Sequence, residues 1–194
     1  MANVIIFHHA CGLTPGVSAF AARIEAAGHT VQSPDLYEGS RFETIEEGVA
    51  NAEQIGLMAI ADRGVAAAKA TLDAGMAEGN PTVALGFSLG VLPAQKLAQT
   101  VPGVAAVVLL HGGVPASTFG DRWPDDVSLQ LHLSPDDEWA EPDVVAALAA
   151  DARGSELFWY SGSDHLVTDE SRPEYDAQAT EQILARILDL LQRL

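Results

Sequence analysis

The chain has 194 residues, 48% hydrophobic and 19% charged, with 10 Lys and Arg against 27 Asp and Glu for a formal net charge of −17. That size and apolar content fit one domain over residues 1–194 with a real core and exclude a disordered chain. A single cysteine excludes a disulfide framework, and the acidic balance argues against nucleic acid or an anionic membrane as the main partner. No apolar run is long enough to span a bilayer, and Met1 to Phe7 lacks the basic start of a signal peptide, so a soluble cytoplasmic protein is expected.

Asn3 to Phe7 is a β-branched run that reads as a strand buried on both faces, stopped at His8-His9-Ala10-Cys11-Gly12. Val17, Phe20, Ala21, Ile24 and Ala27 follow at helical spacing, with Gly28 as the stop. His29 to Gln32 predicts a short second strand. The long Ala-rich stretch from Thr44 to Met76 has helical composition and little β-branching, and Gly79-Asn80-Pro81 breaks it. Thr82 to Gly86 is the third strand. Ser88 to Thr100 predicts a helix in which Pro93 should introduce a kink or confine regular pairing to either side. Ala105 to Leu110, Ser128 to Leu133 and Glu156 to Tyr160 are the remaining strands, with a helix over Pro142 to Ala152. The last helix, from about Tyr175 to Arg193, carries an apolar stripe at Ile183, Ile187, Leu191 and Leu194.

Strands alternating with helices predict an α/β fold with a mostly parallel sheet covered on both faces. Chemistry in such sheets sits beyond the carboxyl ends of the strands. His9, Ser88, His111, Asp137 and His165 each fall just after a strand.

Gly86-Phe87-Ser88-Leu89-Gly90 matches G-x-S-x-G directly after a strand and before a helix, the setting of a nucleophile elbow. The blander reading is an N-cap serine. A serine hydroxyl needs a base, and His165 lies in a polar loop after the sixth strand; a surface histidine is the alternative. The base needs a carboxylate to fix its tautomer. Asp136 and Asp137 follow the fifth strand, in what could equally be a solvated acidic turn, and Asp164 adjoins His165. The order Ser, Asp, His is that of α/β-hydrolases.

The segments VIIFHHACGL, SPDLYEG around Tyr37, VALGFSLG, LHLSPDDEW and FWYSGSDHLVTDESRPEYD resemble the dienelactone hydrolase family over nearly the whole chain. The resemblance implies a compact α/β-hydrolase fold with a six-stranded, all-parallel sheet, and Ser88 as nucleophile, Asp137 as the acid and His165 as the base. It also implies an oxyanion hole made by the backbone N–H groups of Ala10 and Leu89. Two features depart from the founding members. Those have Cys where this chain has Ser88, and Glu where it has His9. Their thiol-activation scheme and their dienelactone substrate therefore do not carry over, and ordinary esters or lactones fit a serine better.

His8, His9, Cys11, His111 and His132 do not read as a metal site, because adjacent residues at a strand end point to opposite faces and His132 lies within a strand. No cofactor is expected. Cys11 reads as a small apolar packing residue beside the oxyanion loop. His111-Gly112-Gly113 resembles a lipase oxyanion motif but follows the serine, so a turn near the pocket is the better reading. His9, Cys11, Tyr37, His111, Trp123 and Trp139 are the pocket candidates. The two tryptophans either wall an apolar pocket or simply pack beneath loops. Anionic substrates are disfavoured unless Arg41 or Arg122 reaches the site.

These observations point to a cofactor-free serine hydrolase of a small ester or lactone, working through an acyl-enzyme. A non-catalytic small-molecule binder of the same fold and an acyltransferase with the same triad stay open.

Overall fold

In the computed structural model, which describes residues 1–73, 76 and 78–194, the chain folds around one six-stranded sheet. The strands are β1 (Asn3–Phe7), β2 (Thr30–Gln32), β3 (Thr82–Phe87), β4 (Val104–Leu110), β5 (Ser128–Leu133) and β6 (Glu156–Trp159). Every neighbouring pair is parallel, in the order β2-β1-β3-β4-β5-β6. The order reverses between β1 and β3, so a crevice opens where the loops after those two strands diverge.

Period-2 alternation divides the strand residues between two core layers. Ile5, Phe7, Ala84, Val107, Leu109 and Leu131 face the helices α3 (Leu57–Asp73), α4 (Val91–Thr100) and α5 (Pro142–Asp151). Val4, Ile6, Val83, Leu85, Val108 and Leu110 face α1 (Pro15–Ala26) and α6 (Ala177–Arg193). Both faces are apolar because both are covered, as a parallel sheet requires.

The caps are local chemistry. Thr14 accepts the Val17 N–H at the start of α1, and Asp176 accepts the N–H groups of Gln178 and Ala179 at the start of α6. Helix α2 (Ile45–Ile55) opens with a reciprocal capping box between Thr44 and Glu47.

The Ala-rich helical stretch divides into two helices. Gly56 at φ 95° turns the chain between α2 and α3, and Ala74 and Gly75 lie outside the described residues. Pro93 does not interrupt α4. It lies in the first turn, where a missing N–H costs nothing, because a short 3₁₀ turn over Ser88–Gly90 precedes the α-helix. Among the described residues no helix is long and apolar enough to cross a membrane.

Candidate active site

The serine turn shows why its two glycines are there. Ser88 takes φ 48°, a left-handed conformation uncommon for a non-glycine residue. A Cβ on Gly86 would sit 2.3 Å from the Gly90 carbonyl oxygen, and one on Gly90 would sit 2.2 Å from the Phe7 carbonyl oxygen. Only glycines let the turn close on itself and lie against the end of β1. Ser88 is thereby presented at the carboxyl end of β3, half-buried, with the first turn of the following helix behind it.

His165 and Asp137 meet that serine. The Ser88 hydroxyl lies 2.7 Å from His165 Nε2, and His165 Nδ1 lies 2.6 Å from Asp137 Oδ2. With Asp137 ionised, Nδ1–H donates to the carboxylate, which leaves Nε2 as the acceptor of the serine proton. The other carboxylate oxygen, Oδ1, accepts the Trp139 N–H at 2.9 Å. Asp137 and His165 are buried, whereas Asp136 and Asp164 are exposed. Of Asp136, Asp137 and Asp164, Asp137 is the one hydrogen-bonded to the imidazole.

A cleft of about 410 Å³ opens beside His165, lined on its apolar side by Ile45, Trp139 and Pro173. Glu43, Glu46, Glu138, Asp164 and Glu174 also line it, against one cation, Arg172. That guanidinium is engaged: it donates to the Glu43 carbonyl at 2.7 Å and lies 3.5 Å from the Glu174 carboxylate. Arg41 is not among the lining residues, and Arg122 is paired with Asp125 in solvent. The cleft is thus anionic, and the cation it does contain was not singled out as a charge from the sequence.

The other pocket candidates divide. Trp139 is 37% exposed, with its ring centroid 6.4 Å from that of His165, so it walls the cleft. Trp123 does not reach it. Its indole N–H donates to the Val127 carbonyl at 2.8 Å, next to the first residue of β5, so the ring packs at the amino end of that strand. Tyr37 is buried edge-on to His8 and Phe42 and does not line the cleft. Cys11 is buried with Ile45 and Leu166, its sulfur 3.6 Å from the Thr44 carbonyl, and burial pushes its thiol up to about 11. An unreactive packing thiol is the consequence.

The histidines are all held. His8 donates from Nδ1 to the His9 carbonyl and accepts the Leu36 N–H on Nε2, and burial lowers it to about 4. His132 bridges Tyr160 and Gln130, and burial lowers it to about 3. His111, at φ 64°, is buried against His165 at 5.7 Å between ring centroids and is hydrogen-bonded to Thr168, and burial lowers its pKa far below the ordinary value. His9 is fully buried and paired with Asp169 at 2.7 Å, so it supports the cleft rather than lining it. Asp169, Thr168 and Ser171 were not visible as site residues in the sequence. They lie in a polar loop, and their partners are far away along the chain.

The sequence pattern of the dienelactone hydrolase family matches residues 1–194. The chain belongs to the dienelactone hydrolase family. No curated protein matches it significantly. Solved structures extend the likeness in fold. A dienelactone hydrolase-like promiscuous phosphotriesterase from metagenomic libraries aligns at TM-score 0.80 and 20% identity, covering 100% of this chain and 87% of its own. A dienelactone hydrolase from Anabaena variabilis aligns at TM-score 0.72 and 18% identity, covering 100% and 86%. A cold-adapted esterase from an Arctic intertidal metagenomic library aligns at TM-score 0.68 and 18% identity, covering 100% and 82%. Membership of this family makes the chain a hydrolase.

Proposed function

We propose that this dienelactone hydrolase family member is a serine hydrolase of small carboxylic esters or lactones, with Ser88, His165 and Asp137 as its triad. The observation that carries the reading is the continuous hydrogen-bond chain from Ser88 Oγ through His165 to Asp137. Ser88 Oγ attacks the carbonyl carbon while His165 Nε2 takes its proton. The tetrahedral oxyanion is met by the backbone N–H groups of Ala10 and Leu89, and the imidazolium then gives its proton to the leaving oxygen. Water, deprotonated by His165, attacks the resulting acyl-enzyme and releases the acid. The strain at Ser88 belongs to this reading, since it presents the hydroxyl to His165 Nε2 at the expense of backbone comfort.

The charge of the cleft sets the substrate. Five carboxylates against one engaged guanidinium repel an anionic acyl or leaving group, so neutral and cationic esters are turned over in preference. The test is a panel of aryl esters of graded acyl length, one bearing an ammonium and one a carboxylate, assayed with wild type and Ser88→Ala. Ser88-dependent hydrolysis with the carboxylate ester slowest supports the proposal. Hydrolysis unchanged in Ser88→Ala removes the serine mechanism.

A further inference from the structure

The molecule holds a second buried His–Asp pair that the proposed mechanism does not use. His9 Nε2 lies 2.7 Å from Asp169 Oδ2, and both side chains are fully buried. The tautomer follows from the neighbours. His9 Nδ1 accepts the Cys11 N–H at 3.2 Å, so the ring proton is on Nε2 and is donated to Asp169. This ring is not a base for the serine, since both nitrogens are committed.

Asp169 is the hub. Its Oδ2 also accepts the Thr14 hydroxyl at 2.5 Å, and its Oδ1 accepts the backbone N–H and the hydroxyl of Ser171 at 2.8 and 2.6 Å. The carboxylate lies against the first turn of α1, where a Cβ on Gly16 would sit 1.7 Å from Oδ1. Burial disfavours its charge, but hydrogen bonds from His9, Ser171 and Thr14 outweigh that and hold its pKa at about 2. Burial lowers the pKa of His9 against the pull of Asp169, which fits a neutral ring beside a fixed anion.

The placement gives this hub its consequence. Asp169 is four residues after His165, on the same loop between β6 and α6. His9 precedes Ala10 and Cys11 on the loop after β1, and its Nδ1 holds that loop's backbone through the Cys11 N–H. Strand β1 flanks β3, which carries Ser88. On the other flank, β4 leads into His111, which is hydrogen-bonded to Thr168 at 2.8 Å. The loop that carries the base therefore straddles the serine turn, pegged once to each neighbouring strand end.

Resting on the serine-hydrolase reading, we propose that Asp169 is a positioning residue that acts through His9: it locks the base loop to the β1 loop, so that His165 and the Ala10 backbone keep one fixed spacing about Ser88. Misplacement of reacting groups by an ångström costs on the order of a hundredfold in rate, whereas ground-state binding is little affected. The pair therefore acts on kcat.

The test uses steady-state kinetics on a neutral short-chain aryl ester with wild type, Asp169→Asn, His9→Asn and the double variant, with Ser88→Ala as reference. In Asp169→Asn the amide nitrogen must face either the Ser171 donors or the His9 and Thr14 donors, so one set of bonds is lost. His9→Asn keeps a short acceptor for the Cys11 N–H but cannot span to Asp169. Each single variant should lose roughly ten- to a hundredfold in kcat with KM within about threefold and the pH dependence of kcat/KM unmoved. The double variant should lose no more than the worse single, because both remove one link. Single variants keeping more than half of kcat, additive losses in the double, or losses confined to KM would overturn the proposal. Failure of both single variants to fold would also overturn it, making the pair a stability element. Wild type no more active than Ser88→Ala would instead sink the hydrolase reading, an outcome separable from all of these.

Discussion

Replacing Asp137 by Asn puts the hydrogen-bond chain under a defined strain. In the wild type, Oδ1 accepts the Trp139 N–H and Oδ2 accepts His165 Nδ1–H. An amide cannot do both. If its oxygen keeps the Trp139 N–H, its NH₂ faces His165 Nδ1 and forces the ring proton onto Nε2, where it points at Ser88 and the base is lost. If the amide flips, the NH₂ meets the Trp139 N–H in a half-buried setting, at about 1 kcal/mol or more for unsatisfied donors. Only that costly minority has the working tautomer, and it has also lost the negative charge that stabilises the imidazolium. Together these predict a fall of roughly 10³–10⁴ in kcat, or about 4–5.5 kcal/mol of barrier. The assay is kcat on a neutral aryl ester near pH 8, with Asp136→Asn and Asp164→Asn as exposed controls expected within about twofold of wild type. An Asp137→Asn enzyme within tenfold of wild type, or an Asp164→Asn enzyme equally crippled, would refute the reasoning.

Ser88→Gly should melt above Ser88→Ala although both are inactive, since only glycine relieves φ 48°, by about 1 kcal/mol, and calorimetry of the pair checks it. Cys11→Ala should keep most activity, and the wild-type thiol should resist a thiol reagent at pH 8 until denaturant is added, because burial raises its pKa to about 11. Acid should destabilise the fold earlier than carboxylate titration would. His8 and His132 are depressed in the folded state, to about 4 and about 3, so the unfolded chain binds more protons below about 6.5. Their contribution is complete above that value and is lost as pH falls through the folded values. Melting temperatures from pH 8 down to 4 should therefore decline below pH 6.5, and a flat profile over that range would contradict the buried neutral rings.

What the sequence revealed follows from where the physics is local. The serine turn was readable because its two glycines are demanded by contacts within the turn and with the adjacent strand. The sheet was readable because β-branched runs such as NVIIF are buried on both faces. Strand ends then placed His165 and Asp137 near Ser88. Gly56 was not readable as a break, because an isolated glycine in an Ala-rich run is tolerated in many helices. The sequence left Trp123 open between pocket wall and packing because the connection after β4 runs from residue 111 to 127, long enough to return to the far end of the parallel sheet. Asp169 gave no signal at all. Its partners His9 and Thr14 are 160 and 155 residues away, and in the sequence it is one acid in a polar loop.

The most direct measurement is the site of covalent labelling by a small fluorophosphonate. Intact-mass analysis followed by peptide mapping on the folded protein should find one adduct, on Ser88, with hydrolytic activity lost in proportion to labelling. Ser88→Ala should take up no label, and Asp137→Asn should label more slowly than wild type. An unlabelled wild-type protein, or an adduct on another residue that accounts for the loss of activity, would contradict Ser88 as the nucleophile.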